Sequence, residues 1–343
     1  MAINKNPINL DPEKDGLYVD NGKISGCNGN VFARTILRKF ILVLTDGDRF
    51  YLFNGSVFVY QEPIRLSRKL RRFLHRYQAD CWSEGIEKTY MAGLRREAPI
   101  VAKMDTKRGY INLRNGMLGL TTFKLHPHDP KFRSTIQLPI DYNSNASCPI
   151  FLATLDQIFL GDKDLIAVVQ ELFGYCLCVS VAAQVFFLLI GTGSNGKSLL
   201  IECLKWIVGK ENYCCVPLRD LNNSFKCYAL VDKLLNVVSE NETDGKGFNS
   251  EALKAITTGD SIMVEQKYRD AFTYSPFCKM VFAMNEFPFS RDHTLGLTRR
   301  IIAIPFRAKF KNKRDVPDEP NADDCIFVAD KRLIKKLEAE KTG

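Results

Sequence analysis

Eight residues, Gly191-Thr192-Gly193-Ser194-Asn195-Gly196-Lys197-Ser198, fit the pattern G-x-x-x-x-G-K-[ST]. That spacing serves phosphate chemistry. The glycines let backbone N–H groups turn inward around phosphate oxygens, Lys197 neutralises charge at the β and γ positions, and the Ser198 hydroxyl can ligate Mg²⁺ at a helix N-terminus. All eight are expected to hold ATP. Hydrolysis also needs a carboxylate, because the metal and the attacking water must both be held beside the γ-phosphate. Glu240 and Glu242 leave the end of the apolar run Leu234-Leu-Asn-Val-Val238 on one side of an extended chain. Glu240 is the expected second Mg²⁺ ligand; which of the two glutamates activates water stays open.

Three further groups follow in order. Asn285 ends the apolar run 279–284 and offers a neutral amide to both γ-phosphate and attacking water. Arg299 and Arg300 immediately precede the apolar run 301–306, and either guanidinium could stabilise transition-state charge on a neighbouring subunit's γ-phosphate. Between these, Gly259-Asp260 breaks a helix, and the segment to Phe277 reads as a hairpin with Lys267, Tyr268 and Arg269 near its tip. Cations beside an aromatic ring suit a single nucleic-acid strand, whose phosphates attract charge and whose bases stack; an ordinary exposed hairpin is the competing reading.

These groups need a scaffold to position them. The run 185–190 leads into the glycine loop as a buried strand, and residues 199–204 leave it as a helix. From Gln184 to Phe306 apolar strands alternate with helices, which predicts an α/β P-loop domain with a parallel sheet over 181–308. Before it, residues 1–62 read as a small β-rich element, with turns at Asp46-Gly47-Asp48 and Asn54-Gly55. Residues 63–180 read as a mixed α+β region, largely helical over 63–97 and 149–180 and broken near Gly161-Asp162. In the first of those helices Leu66, Leu70, Phe73 and Tyr77 form an apolar stripe, while Arg65, Arg68, Lys69, Arg71, Arg72 and Arg76 fill the remainder. A solvated charged face and a nucleic-acid contact both suit that pattern. Residues 309–343 read as a polar linker and a C-terminal helix.

Composition bounds the rest. The chain has 343 residues, 45% of them apolar, and a net charge of +9, which admits an acidic partner. Eleven cysteines include no C-x-x-C pair and no suitably placed histidines, so reduced thiols in a cytoplasmic compartment are expected rather than a zinc site. No secretory signal opens the sequence, and residues 173–190 are too interrupted by Gly174, Ser180 and Gln184 to span a membrane.

In their order and spacing, G-x-G-x-N-G-K-S, S-E-x-E, Lys254-x₄-Gly259-Asp260, the Asn285 strand and Arg-Arg before I-P-F resemble the superfamily 3 helicases of the phage and plasmid primase-helicase type, related to the poxvirus primase-helicase. Upstream, Tyr110-Ile-Asn-Leu-Arg-Asn-Gly-Met-Leu and His126-Pro-His-Asp-Pro look like the helicase-associated region that precedes such motors. The resemblance implies an AAA+-like ring, a homo-hexamer as a rule, that hydrolyses ATP between subunits and draws single-stranded DNA through its centre, 3′ to 5′. Lys267 would line the pore, Arg299 or Arg300 would act in trans, and the region before residue 180 would form a collar. For a virus or plasmid protein the compartment would be the host cytoplasm. Residues 1–100 lack a primase-like acidic cluster, so primer synthesis would fall to a partner or to a fused upstream domain. Two rival readings share the loop: an ATPase that remodels or packages another substrate, and a DNA-binding initiator or scaffold with little turnover.

Overall fold

A computed structural model describes residues 11–240, 250–287, 294–316 and 325–341. The chain groups into two compact units, residues 1–107 with 127–135 and residues 108–126 with 136–343.

The first unit opens with a hairpin, β1 (Leu17–Asp20) and β2 (Lys23–Cys27), followed by α1 (Gly29–Lys39). The Asn28 side chain accepts the Val31 N–H and starts that helix. Next come β3 (Leu42–Thr45), β4 (Phe50–Phe53), β5 (Phe58–Gln61), α2 (Pro63–Leu74), α3 (Glu84–Glu97) and β6 (Ile100–Val101). The four strands from β3 to β6 form one sheet in the order β5-β4-β3-β6, its hairpins turning at the two glycine sites read from sequence. Helices α1 and α3 meet so closely that a Cβ on Gly93 would lie 2.2 Å from the Gly29 carbonyl oxygen.

Helix α1 stands inside the segment that the sequence reads as β-rich. Phe32, Ala33, Thr35 and Ile36 are its buried residues, a helical spacing hidden among β-formers. The division at residue 62 also falls within a unit. Leu66, Leu70, Phe73 and Leu74 of α2 share one core with Phe32, Ile36, Phe50 and Tyr90, so the strands before residue 62 and the helices after it bury the same apolar surface. The returning strip 127–135 is stitched in by Phe58 N–H on the Ser134 carbonyl (2.8 Å) and by Asp105, whose carboxylate accepts the Thr135 N–H (2.8 Å).

The second unit begins with a small antiparallel sheet, β7 (Tyr110–Leu113), β8 (Gly116–Gly119) and β9 (Leu125–His126), then α4 (Pro149–Ile158) and α5 (Lys163–Cys176). Asp162 caps α5 by accepting the Asp164 and Leu165 N–H groups, at the break expected there. The remainder runs β10 (Phe186–Ile190), α6 (Lys197–Val208), β11 (Tyr213–Cys214), α7 (Ser224–Cys227), β12 (Leu235–Val238), α8 (Ser250–Thr258), β13 (Ile262–Val264), β14 (Phe272–Tyr274), β15 (Lys279–Met284), α9 (Leu295–Thr298), β16 (Ile301–Pro305), β17 (Lys309–Lys311), β18 (Ile326–Val328) and α10 (Leu333–Glu340).

Five of these strands form an all-parallel sheet in the order β11-β12-β15-β10-β16. Its side chains alternate between two cores. Phe187, Leu189, Val237, Val281 and Ala283 pack with α5 and α6, whereas Phe186, Leu188, Val238, Phe282 and Met284 pack with α8. Covering both faces explains the near-continuous apolar runs of these strands. Asn236 is the polar exception in β12. Fully buried, its side chain accepts the Val216 N–H (2.6 Å) and donates to the Val216 carbonyl (2.9 Å), which extends the sheet by a side-chain rung.

The tail is more than a linker. β17 pairs with β18, and Glu340 of α10 accepts the Ile150 and Phe151 N–H groups (3.0 Å each), capping α4. Among the described residues no helix is long and apolar enough to cross a membrane; the 173–190 run divides between the end of α5 and β10.

Candidate active site

Strand β10 delivers the chain to Gly191, and residues 191–196 turn back into α6. Neighbouring strands brace this turn from behind. Gly191 N–H donates to the Met284 carbonyl (3.1 Å), Phe306 N–H to Ile190 (2.7 Å) and Phe310 N–H to Ser194 (2.7 Å). Gly193, Ser194 and Gly196 all have positive φ, at 101°, 47° and 92°. Left-handed residues set among right-handed ones in a turn of this kind aim backbone N–H groups into one concavity. A Cβ on Gly191 would stand 2.1 Å from Asn195 Nδ2, and one on Gly196 2.7 Å from Ile158 Cδ1, whereas the space beside Gly193 is open.

Lys197 is only 7% exposed, and its Nζ donates to the Gly191 carbonyl and to Asn195 Oδ1 (3.2 Å). Burial pulls its pKa below the ordinary lysine value. Asn195 is buried as well, and its Nδ2 has no hydrogen-bond partner. Ser198 is exposed on the first turn of α6, where the leading N–H groups have no carbonyl behind them in the helix. An unsatisfied buried donor, a lysine held on a loop carbonyl, free helix N–H groups and open space beside Gly193 suit a polyphosphate. The exposed Ser198 hydroxyl suits its Mg²⁺.

The register brings more groups to the same edge. Ile190 pairs with Met284 on one side and Pro305 on the other, and Val238 pairs with Phe282. Continued by two residues, that register sets Glu240 level with Met284, with Asn285 one step further on. Both are exposed. Because β15 lies between β10 and β12, Asn285 leaves the strand between the glycine loop and Glu240. Glu242 lies outside the described residues.

Arg299 and Arg300 occupy the opposite edge. Phe186 N–H donates to the Arg300 carbonyl (2.8 Å), and Phe186 pairs with Ile301, so both arginines sit at the amino end of the sheet. The two differ in setting. Arg300 is 8% exposed, donates to the Gly296 carbonyl and has an unpartnered Nε; burial and the adjacent Arg299 charge lower its pKa. Arg299 is exposed.

The hairpin forms as the sequence predicts, β13 pairing with β14 in antiparallel register. Val264 is buried at its base, and Glu265 N–H donates to the Ser224 carbonyl (3.2 Å). Lys267, Tyr268 and Arg269 are all exposed in the connection, and Tyr268 stands wholly in solvent with φ +63°.

Sequence reasoning missed Lys279, which heads β15. Buried, it donates to the Cys178 and Phe277 carbonyls, lies 5.1 Å from the Tyr175 ring centre and has its pKa pulled to about 8 by desolvation. Its only signal was a lysine opening an otherwise apolar run.

Two family descriptions match the chain: "D5 N terminal like" over residues 31–160, and a family of unknown function, DUF5906, over residues 189–300. Over 192 residues the chain is 28% identical to "Putative helicase L207/L206" of Acanthamoeba polyphaga mimivirus, an alignment covering 53% of this chain and 20% of the relative. Over 273 residues it is 24% identical to "Putative helicase 184R" of Invertebrate iridescent virus 6, covering 70% and 26%. The chain thus spans between a fifth and about a quarter of these relatives' length. Among solved structures, several of the apo NrS-1 C-terminal region share the fold. One gives a TM-score of 0.55 at 13% identity, covering 92% of this chain and 68% of that one. Another gives 0.53 at 11%, covering 90% and 66%. The resemblance to the helicases related to the poxvirus primase-helicase is borne out by the D5-like match and the viral relatives.

Proposed function

We propose that this chain, similar to viral helicases and sharing the fold of the NrS-1 C-terminal region, is an ATP-hydrolysing motor on single-stranded DNA. The observation that carries the reading is the common edge: the braced loop with buried Lys197, Asn285 and Glu240 all leave the carboxyl ends of adjacent parallel strands. In open α/β sheets that edge is where ligands bind. The separation of β10 from β12 by β15 supports an AAA+-like core.

On this reading residues 191–196 wrap the triphosphate, and Lys197 exchanges the Gly191 carbonyl for phosphate oxygens. Ser198 and Glu240 would hold Mg²⁺, which when bound would neutralise phosphate charge. Asn285 orients the attacking water, and Glu240 or Glu242 polarises it. Arg299 or Arg300 completes the site of a neighbouring subunit in a ring, a homo-hexamer by the family resemblance. The tip of the β13–β14 hairpin grips the single strand through Lys267, Tyr268 and Arg269, and the residues before 180 serve as a collar.

The test pairs ATP turnover, with and without single-stranded DNA, with molar mass in solution with nucleotide. Stimulated turnover by an oligomer is expected, and Lys197→Ala should abolish it. Turnover indifferent to DNA would favour remodelling of another substrate, negligible turnover an initiator or scaffold, and normal turnover in Lys197→Ala would remove the loop assignment.

A further inference from the structure

Helix α2 of the first unit takes no part in the chemistry above, yet it is the most basic helix among the described residues, with five lysines and arginines and no acid. The first unit holds 20 lysines and arginines against 13 acids, seven of the nine net charges of the protein. Much of that excess lies on one helix face. At 100° per residue, Arg65, Arg68, Lys69 and Arg72 fall within an arc of about 100°, roughly opposite buried Leu66, Leu70, Phe73 and Leu74, and Arg76 follows in the turn just past the helix end. The arginines in this row are exposed.

The charges are poorly neutralised. Arg65 pairs with Glu62 (3.3 Å), and Lys69 Nζ donates to Gln61 Oε1 (2.6 Å). Among the described residues no acid forms an ion pair with Arg68, Arg72 or Arg76. Lys69 is held below its usual pKa by burial and by the charge of Arg65. A row of like charges stabilises itself only against a polyanion or salt.

Spacing and composition favour one class of polyanion. The seven helical steps from Arg65 to Arg72 span about 10 Å, against one phosphate per ~3.4 Å along a single strand and one per ~1.7 Å along a duplex. The four cations of the helical row therefore match about four phosphates of one strand edge, and Arg76 extends the row beyond them. The row has no exposed aromatic ring on which an unpaired base could stack, in contrast to the hairpin tip with Tyr268. Charge without stacking selects for charge density, which is greatest in a duplex.

We propose that the α2 face binds the phosphate backbone of duplex nucleic acid, without reading its sequence and independently of nucleotide.

The test uses the full chain without nucleotide and a blunt fluorescent DNA duplex, with affinity followed by anisotropy over a salt series. R68Q/R72Q/R76Q keeps helix-forming residues and removes three charges. The expected result is weaker binding, with the salt slope shallower by about 2.7, since each phosphate contact contributes about 0.9. A control triple at exposed lysines outside α2, K103Q/K107Q/K131Q, should leave the slope unchanged. ATP turnover without DNA should also be unchanged in the arginine triple. An unaltered duplex slope in that variant overturns the proposal. So does an equal loss in the lysine control, or a loss confined to single strands or to anionic lipid vesicles. If no form of the protein hydrolyses ATP, the binding result still stands and only the motor reading fails.

Discussion

Substitution of Arg299 tests whether the active site is completed by a second copy of the chain. Strand β10 runs from Phe186, beside the arginines, to Ile190, at the glycine loop. Those four steps amount to about 13 Å, and an arginine side chain reaches roughly 7 Å. Neither arginine can therefore touch phosphate held by its own loop, and Arg299, being exposed, is free to approach another subunit's. Removing such a finger lowers hydrolysis by about 10³- to 10⁵-fold, or ~4–7 kcal/mol of transition-state stabilisation. Arg299→Ala should do this while nucleotide affinity holds and stability shifts by less than about 0.5 kcal/mol, as for an exposed site. Arg300→Ala should behave differently, losing about 1–3 kcal/mol of stability because its buried bond to the Gly296 carbonyl goes with it. The assay is steady-state turnover at saturating ATP, with a fluorescent analogue for affinity and thermal melting for stability. Mixing Arg299→Ala with Lys197→Ala in equal amounts should revive activity, because roughly one in four head-to-tail interfaces joins an intact loop to an intact arginine. Turnover in Arg299→Ala within a few-fold of wild type, or a mixture that stays inactive, would refute the shared site.

Other substitutions probe the scaffold. Asn236→Ala strands the buried N–H and carbonyl of Val216 and should cost about 3 kcal/mol in urea unfolding; a loss under 1 would mean water replaces the rung. Gly196→Ala, strained at φ +92° and set against Ile158, should weaken nucleotide binding, whereas Gly193→Ala, with open space around it, should cost only the ~1 kcal/mol of its backbone conformation. Similar affinities for the two variants would contradict that contrast. Lys279 titrates near 8 when folded against 10.5 as an ordinary lysine, so between those values the unfolded chain binds more protons and stability rises with pH. The stability difference between wild type and Lys279→Met should move in favour of wild type by up to about 3 kcal/mol from pH 7 to 10.5, and a flat difference would discount the burial effect.

The part of the chain around the glycine loop was legible because its signals are local. A glycine loop flanked by a five-residue apolar strand and a helix carries its own structural context, and strands buried on both faces announce themselves as unbroken apolar runs. The hairpin was legible from Gly259-Asp260 and its flanking β-formers. What escaped depends on contacts distant in sequence. Phe32 and Ile36 read as strand residues until α3 is packed against them, and Glu340 reads as a tail charge until the N-terminus of α4 is brought beneath it. Asn236 looks like a flaw in an apolar strand, and only the position of Val216 makes it a rung. The register, too, was out of reach: spacing ordered Glu240, Asn285 and the arginines along the chain, but strand pairing put the arginines at the far edge.

The strip 127–135 also bears on how such a protein can be inherited. The chain enters the second unit at Arg108, comes back at Pro127 and departs again after Thr135, so neither unit corresponds to one uninterrupted stretch of coding sequence. A crossover between Asp105 and Ser134 would strand Ser134 and Thr135 from Phe58 and Asp105, leaving both descendants incomplete. The two units are thus expected to pass between genomes together, and an attempt to graft either onto another protein must carry two separate segments.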